Sequence, residues 1–145
     1  MPRLRSYARF TTALSALLFA STMLVFSGGV NAAAQHEFGL KQYEQFHDAL
    51  HPLQHEALPN NDFKSIRAGS RLLVKRGNAI VALGIPRSTP KNERKEFAAE
   101  LRKFSKALRQ FRADAWKGTD EQLKTSFSAL HDSFEMLAGM LRVRG

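Results

Sequence analysis

Histidine is the residue type in this chain whose spacing points to chemistry. His47, His51 and His55 follow one another at intervals of four residues. Four residues of an α-helix advance about 400°, so these three imidazoles would form one row along a single helix. Two histidines spaced in this way can bind one metal ion from the same helix. The spacing therefore predicts a metal site, provided that a further ligand comes from elsewhere in the chain.

His131 and Glu135 are the residues predicted to complete that site. They lie four residues apart in a second amphipathic stretch near the end of the sequence. If the first and last helices are antiparallel neighbours, His131 lies about 16 Å from one end of the last helix, at the height of His47 and His51. Imidazole and carboxylate ligands suit zinc, copper or nickel. We therefore predict that His47, His51 and His131 bind a transition metal ion, with Glu135 as a fourth ligand.

The alternative interpretation is that these histidines are partly exposed residues at the boundaries between helices. His47 and His51 flank the apolar stripe that contains Tyr43 and Phe46, and neither lies within it. His55 points farthest from that stripe, which favours a solvent-exposed position without a ligand role. The spacing alone leaves both interpretations open.

Four amphipathic helices must position these residues. In each helix, apolar residues recur three and four positions apart, which is the pattern of one buried face. The predicted helices cover residues 36–58, 62–83, 89–117 and 119–142. Short connections between helices of similar length make sequential neighbours antiparallel. The predicted fold is therefore all-α, an up-down-up-down four-helix bundle within residues 35–145.

Individual residues predict where these helices bend and begin. Pro52 lacks a backbone donor and predicts a kink in the first helix. Asn60 or Asn61 is the predicted N-cap of the second helix. Thr89-Pro90 predicts the start of the third helix, because proline suits the first helical position. Thr119–Gln122 has the pattern of a capping box and predicts the start of the fourth.

Residues 1–34 have the pattern of a secretory signal peptide. Arg3, Arg5 and Arg9 precede a largely apolar run over residues 10–26, and small residues follow at Ala32–Ala34. That order is typical of a segment that directs export and is then cleaved. No later stretch is apolar for long enough to span a bilayer. We therefore predict a periplasmic protein that has no membrane association after cleavage.

Composition excludes several function classes. The 145-residue chain has a formal charge of +9 and no cysteine, so thiolate metal sites and cysteine nucleophiles are excluded. The positive charge is interpreted as a solvated surface and not as a nucleic-acid interface, because the protein is predicted to be exported. The common hydrolase, metalloprotease and phosphate-binding motifs are missing, so we predict no enzymatic activity. A homodimer remains open.

The last helix resembles a known family. Residues Lys117–Lys124, followed by Leu130–Phe134, are similar to the final helix of the cytochrome c-prime and soluble b-type cytochrome four-helix family. The resemblance covers this helix and extends to the rest only in architecture. It implies that His131 is a proximal haem ligand. The two cysteines that attach haem covalently are missing here, so only non-covalent haem b is compatible. The b-type relatives use a methionine of the first helix as second ligand, and His47 or His51 would replace it.

These observations lead to three functional hypotheses. The first is metal handling, sensing or buffering by an exported four-helix bundle. The second is electron transfer by a haem-binding b-type cytochrome. The third is a periplasmic helper or chaperone-like protein without a cofactor, which would bind a partner through an amphipathic face.

Overall fold

The described part of the protein is entirely helical. The computed structural model describes residues 38–142, and the predicted signal peptide lies outside that range. Helix α1 covers Lys41–Pro52, α2 Phe63–Leu83, α3 Arg94–Lys117 and α4 Asp120–Arg142, and a π-helical segment, Leu53–Ala57, directly follows α1. No strand occurs within residues 38–142. The predicted all-α class is confirmed. None of the described helices is both long and apolar enough to cross a membrane.

One hydrophobic core is shared by the helices. Most of the predicted apolar face is buried in it for each of α2, α3 and α4, and Leu101 and Leu141 are half-buried. Leu83 is the main exception, because it lies at the end of α2 and is 36% exposed. The fully buried large side chains are Tyr43, Phe46, Leu50, Ile66, Leu73, Ile80, Phe97, Phe104, Phe111, Leu123, Phe127, Leu130, Phe134 and Leu137. Aromatic rings fill much of the core and set the spacing of the helices.

Where neighbouring helices touch, earlier residues of one helix contact later residues of the other. Phe104 packs near Phe134, and Phe111 packs near Phe127, with ring centroids 6.4 and 5.6 Å apart. Residue numbers therefore rise along α3 as they fall along α4. The glycines of α2 show the same relation to the chain before them, because Gly69 lies against Leu53 and the later Gly77 lies against the earlier Phe46.

Pro52 ends the regular α-helix, as its missing backbone donor predicts. The chain continues as a π-helical turn in which donor and acceptor are five residues apart. The Leu58 N–H donates to the Leu53 carbonyl, and the Asp62 N–H donates to the Ala57 carbonyl, both at 2.9 Å. A π-helical segment inside or beside an α-helix is rare and occurs often at functional sites.

Two predicted helix starts are wrong. Helix α1 begins at Lys41 and not at residue 36; residues 38–40 are non-helical, and the Phe38 N–H donates to Glu44 Oε1 at 2.6 Å. Helix α3 begins at Arg94 and not at Thr89. Thr89 is buried in the preceding turn, where its N–H donates to the Pro86 carbonyl.

The N-cap of α2 is also corrected. Asp62, and neither Asn60 nor Asn61, caps this helix: its Oδ1 accepts the Ser65 N–H at 3.0 Å. The Ser65 hydroxyl donates to Oδ2 of the same carboxylate, and these two bonds lower the pKa of Asp62. A side chain at this position captures a backbone donor that the first helical turn leaves unpaired.

The predicted capping box of α4 is present. The Thr119 N–H donates to Gln122 Oε1 at 2.8 Å, and the Gln122 N–H donates to Thr119 Oγ1 at 3.2 Å. The two side chains satisfy each other's backbone donors. This pair of hydrogen bonds marks the residue at which α4 begins. It therefore helps to determine the position of each later residue along the axis of α4.

Gly77→Ala is expected to destabilise the protein although alanine favours helix. A Cβ at Gly77 would lie 2.7 Å from both Leu108 Cδ atoms, and Leu108 is only 2% exposed, so the neighbour has little room to move. Overpacking costs about 1–3 kcal/mol, against a helix-propensity gain of about 1 kcal/mol. We expect a net loss of about 1 kcal/mol in the free energy of unfolding, measured by urea denaturation.

Gly139→Ala is the matched control for this prediction. Gly139 also lies inside a helix, but a Cβ there would meet no other atom within 4 Å. Only the higher helix propensity of alanine then has an effect, so we expect the free energy of unfolding to rise by about 0.5–1 kcal/mol. Equal effects of the two substitutions would show that close packing at Gly77 is unimportant.

Candidate metal centre on the histidine face

Three imidazoles form a continuous row along α1 and the π-helical segment. The ring centroids of His47 and His51 are 5.6 Å apart, and those of His51 and His55 are 4.5 Å apart. His47 is half-buried, whereas His51 and His55 are exposed. The row therefore runs from the edge of the core out into solvent. We call His47, His51 and His55 the histidine row.

His55 lies in the π-helical segment Leu53–Ala57 and not in α1. A π-helical turn takes up more residues than an α-helical turn, so the chain turns less between His51 and His55 than the about 400° of four α-helical residues. The ring of His55 nevertheless lies nearer to the ring of His51 than the ring of His47 does. The third imidazole therefore stays in the row beyond Pro52.

The inner end of the row packs against α4. The ring planes of His47 and Phe134 are within 25° of parallel, with centroids 6.3 Å apart. Phe38 contacts both rings, edge to face, at 5.5 Å from His47 and 5.8 Å from Phe134. His47 thus lies at the height of Phe134, which is three residues beyond His131.

Tyr43 lies one helical turn before His47 and is completely buried. Its ring centroid is 6.2 Å from that of Phe134. Within the described residues its hydroxyl has no hydrogen-bond partner, and burial raises the pKa of this phenol. A phenol in this state stays protonated, so it adds no negative charge beside the histidine row.

His131 and Glu135 both occupy half-buried positions on α4. His131 Nδ1 lies 3.2 Å from Asp132 Oδ1, and 24% of the His131 side chain is exposed. Among residues 38–142, no three histidine, aspartate or glutamate side chains converge closely enough to hold one ion. The structure therefore forms the row on α1 and places α4 beside it, but it does not bring the four predicted ligands together as a finished set.

Charge is divided unequally between the helices. The stretch from Lys41 to Ala57 has three acidic residues and one lysine, and α4 has four acidic and two basic residues. In contrast, α2 has five basic residues and no acidic one, and α3 has eight basic and three acidic residues. All four histidines of the described chain lie on the two acidic stretches. In a strongly basic protein, these two stretches have a net negative charge and are therefore more favourable for a cation than α2 and α3.

The predicted solvent exposure of His55 agrees with the structure. Sequence reasoning nevertheless missed two features of this region. It predicted a kink at Pro52, and not the π-helical segment that contains His55. It also treated the positive charge as uniform, although counting charges for each predicted helix would have shown the acidic pair.

No family model, curated protein or solved structure matches this chain. The functional argument therefore depends on the residues and their geometry.

Proposed function

We propose that this protein is exported to the periplasm and there binds a transition metal ion on the face formed by α1 and α4. The proposed ligands are His47 and His51, with His131 and Glu135 from α4. The proposed role is metal handling, sensing or buffering without catalysis. The observation that supports it best is the row of neighbouring imidazoles on an acidic stretch of an otherwise basic protein.

The proposed architecture is an antiparallel up-down-up-down bundle that remains after residues 1–34 are removed. The opposite residue order of the α3 and α4 contacts supports antiparallel packing. The ring of Phe134 also packs on Phe46 of α1, with centroids 4.7 Å apart, which supports α1 and α4 as neighbours. In this arrangement, ligands from both helices would lie on one face.

The height of His131 supports its role as the ligand from the facing helix. It precedes Phe134 by three residues, which corresponds to about 4.5 Å along the axis of α4. Because Phe134 packs on His47, this offset is the difference in height between His131 and His47 along α4, which is less than one helical turn. Binding of one ion by both imidazoles would require their side chains to turn toward each other. Glu135, one turn further along α4, would contribute an oxygen ligand.

A metal ion is favoured over haem b as the bound group. A haem with His131 as an axial ligand would need a flat cavity between the helices at this height. That region contains the rings of Phe46, Phe104 and Phe134, with Phe46 only 5.3 Å from Phe104 and 4.7 Å from Phe134. A single ion on the half-exposed histidine face requires no such displacement. Haem-dependent electron transfer is therefore the second hypothesis.

The test is metal analysis of the full chain, expressed with its own N-terminal segment and purified from the periplasm without a histidine tag. We expect about one zinc, copper or nickel ion per chain and no Soret band. The purified mass should correspond to loss of about 34 residues. His131→Ala should weaken binding of the ion at least tenfold, since one of three histidine ligands is lost. His36→Ala removes a histidine that is not part of the proposed site and is the matched control.

Other outcomes would contradict this proposal in distinct ways. A Soret band that disappears in His131→Ala would identify the haem protein. Protein without metal or haem that suppresses the aggregation of unfolded chains would identify a cofactor-free helper. Metal binding that His131→Ala and His36→Ala leave equally strong would exclude His131 from the site.

A further inference from the structure

We infer that His51 and His55 form an outer binding pair for Cu²⁺, which the ion occupies before it reaches the inner ligands. This inference rests on the proposed metal-binding function and adds His55, which that function does not include. Its basis is the short distance between the rings of His51 and His55, which lie on either side of Pro52.

The separation of the two rings fits binding to a common ion. When a ring nitrogen lies about 2.0–2.1 Å from the ion, the ring centroid lies about 3.2 Å from the ion. Two imidazoles that form an angle of about 90° at the ion therefore have centroids about 4.5 Å apart. The centroids of His51 and His55 are 4.5 Å apart, with 44° between the ring planes. The pair His47 and His51 is wider, at 5.6 Å, and needs a larger angle at the ion.

The surroundings of the pair favour capture of a cation from solvent. His51 and His55 are both exposed, so an ion bound there keeps positions open for water or for an incoming ligand. Asp48 precedes His51 by three residues and Glu56 follows His55, and both carboxylates are exposed. The one basic residue of residues 41–57 is Lys41, ten residues before His51.

A site with only two protein ligands favours Cu²⁺ over zinc. Two imidazoles completed by water suit the tetragonal geometry of Cu²⁺, which also binds nitrogen ligands more tightly than the other divalent ions of its series. Zinc sites usually need three or four protein ligands. The outer pair should therefore discriminate in favour of Cu²⁺, whereas the inner set with His131 would accept zinc as well.

His51 is shared by the outer and inner sets. Its ring lies next to both His47 and His55. An ion on the outer pair is therefore one ligand exchange away from the half-buried end of the row. This arrangement suits a protein that accepts an ion and passes it on, because no step requires complete release into solvent.

The experiment is a titration of the full-length, untagged protein with Cu²⁺, followed by NMR of the histidine side chains. A paramagnetic ion broadens the signals of nearby rings. With less than one equivalent of Cu²⁺, we expect the signals of His51 and His55 to broaden first and those of His47 and His131 later. His55→Ala should weaken the first Cu²⁺ binding step at least tenfold. Because His55 is exposed, this variant should fold normally, which circular dichroism would verify.

The controls separate this inference from the proposed function. His36→Ala is the matched histidine removal and should leave the first step unchanged. If His47 and His131 broaden first and His55→Ala has no effect, the outer pair does not exist but the proposed function stands. If no described ring responds to Cu²⁺, zinc or nickel, both are wrong. If His55→Ala weakens Cu²⁺ and zinc binding equally, the selection of copper by this pair is wrong.

Discussion

Phe134→Ala is expected to lower the free energy of unfolding by about 4 kcal/mol, which is a large part of the roughly 5–15 kcal/mol typical of a folded domain. Phe134 is completely buried. Its ring lies within 6.5 Å, centroid to centroid, of five other aromatic rings: Phe38, Tyr43, Phe46, His47 and Phe104. Truncation would leave a cavity at the point where α1, α3 and α4 meet. The measurement is urea denaturation followed by circular dichroism.

The same substitution should also affect the candidate metal centre. Phe134 is the described aromatic contact between His47 and α4. When the ring is lost, the height of α4 relative to the histidine row is no longer held, so binding of an ion by ligands from both helices should weaken. Phe134→Leu keeps most of the buried volume and should cost less than half as much stability.

Met136→Ala is the matched control on the same helix. Met136 is 62% exposed, so its truncation should change the free energy of unfolding by less than about 0.5 kcal/mol. A loss below about 1.5 kcal/mol for Phe134→Ala would mean that the core closes around the missing ring. That result would contradict the view that Phe134 sets the position of α4.

The buried faces of the helices could be predicted from the sequence because spacing determines which side chains share a face. Phe97, Phe104, Leu108 and Phe111 recur at intervals of three, four and seven, and all are buried. Such a pattern does not depend on the exact end of a helix. It is less complete at Leu101 in the middle of α3, which is half-buried, and at the end of α2, where Leu83 stays exposed.

Helix ends were harder to predict because several residues near each end can satisfy the same free donors. Asn60, Asn61 and Asp62 are all good caps, and the choice depends on which of them has its oxygen beside an N–H group. In the structure, the chain continues as a π-helical turn in which the Asp62 N–H donates to the Ala57 carbonyl. Asp62 Oδ1 then accepts the Ser65 N–H, so Asp62 is the N-cap. The sequence does not show that turn directly.

The candidate site was predictable as a row of histidines but not in its detail. Spacing alone places His47, His51 and His55 along one side of a helix. The distance from His51 to His55 depends on the helical type after Pro52, and the position of His131 depends on how α4 is rotated against α1. Rotation about a helix axis follows from core packing around Phe134, which no local pattern encodes.

Arg67→Ala is expected to lower the free energy of unfolding by about 2–3 kcal/mol, although Arg67 lies outside the hydrophobic core. One guanidinium nitrogen donates to the carbonyls of Asp114 and Ala115, at 3.0 and 3.1 Å. The other donates to the Gly118 carbonyl and to Asp120 Oδ1, both at 2.9 Å. At the end of α3 the Asp114 carbonyl also accepts the Gly118 N–H, whereas the carbonyls after it lie beyond the last helical donor. A cation there also interacts favourably with the helix dipole.

The connection between α3 and α4 depends on this contact. The side chain of Arg67 is 30% exposed, so solvent screens part of the charge and limits the effect. Arg67→Lys should recover about half of the loss or less, because an ammonium group cannot reach four acceptors in the same fork geometry. Asp120→Asn removes the ion pair alone and should cost less than about 1 kcal/mol, since Asp120 is 60% exposed.

This set of variants separates charge from geometry at one position. If the backbone carbonyls carry the effect, Arg67→Ala should cost at least twice as much as Asp120→Asn in urea denaturation at moderate ionic strength. Raising the salt concentration should then reduce the cost of Asp120→Asn while leaving most of the Arg67→Ala cost, because hydrogen bonds to carbonyls are screened less than exposed ion pairs. Equal costs for the two variants would show that Arg67 acts only through its carboxylate partner, and that the end of α3 is stable without it.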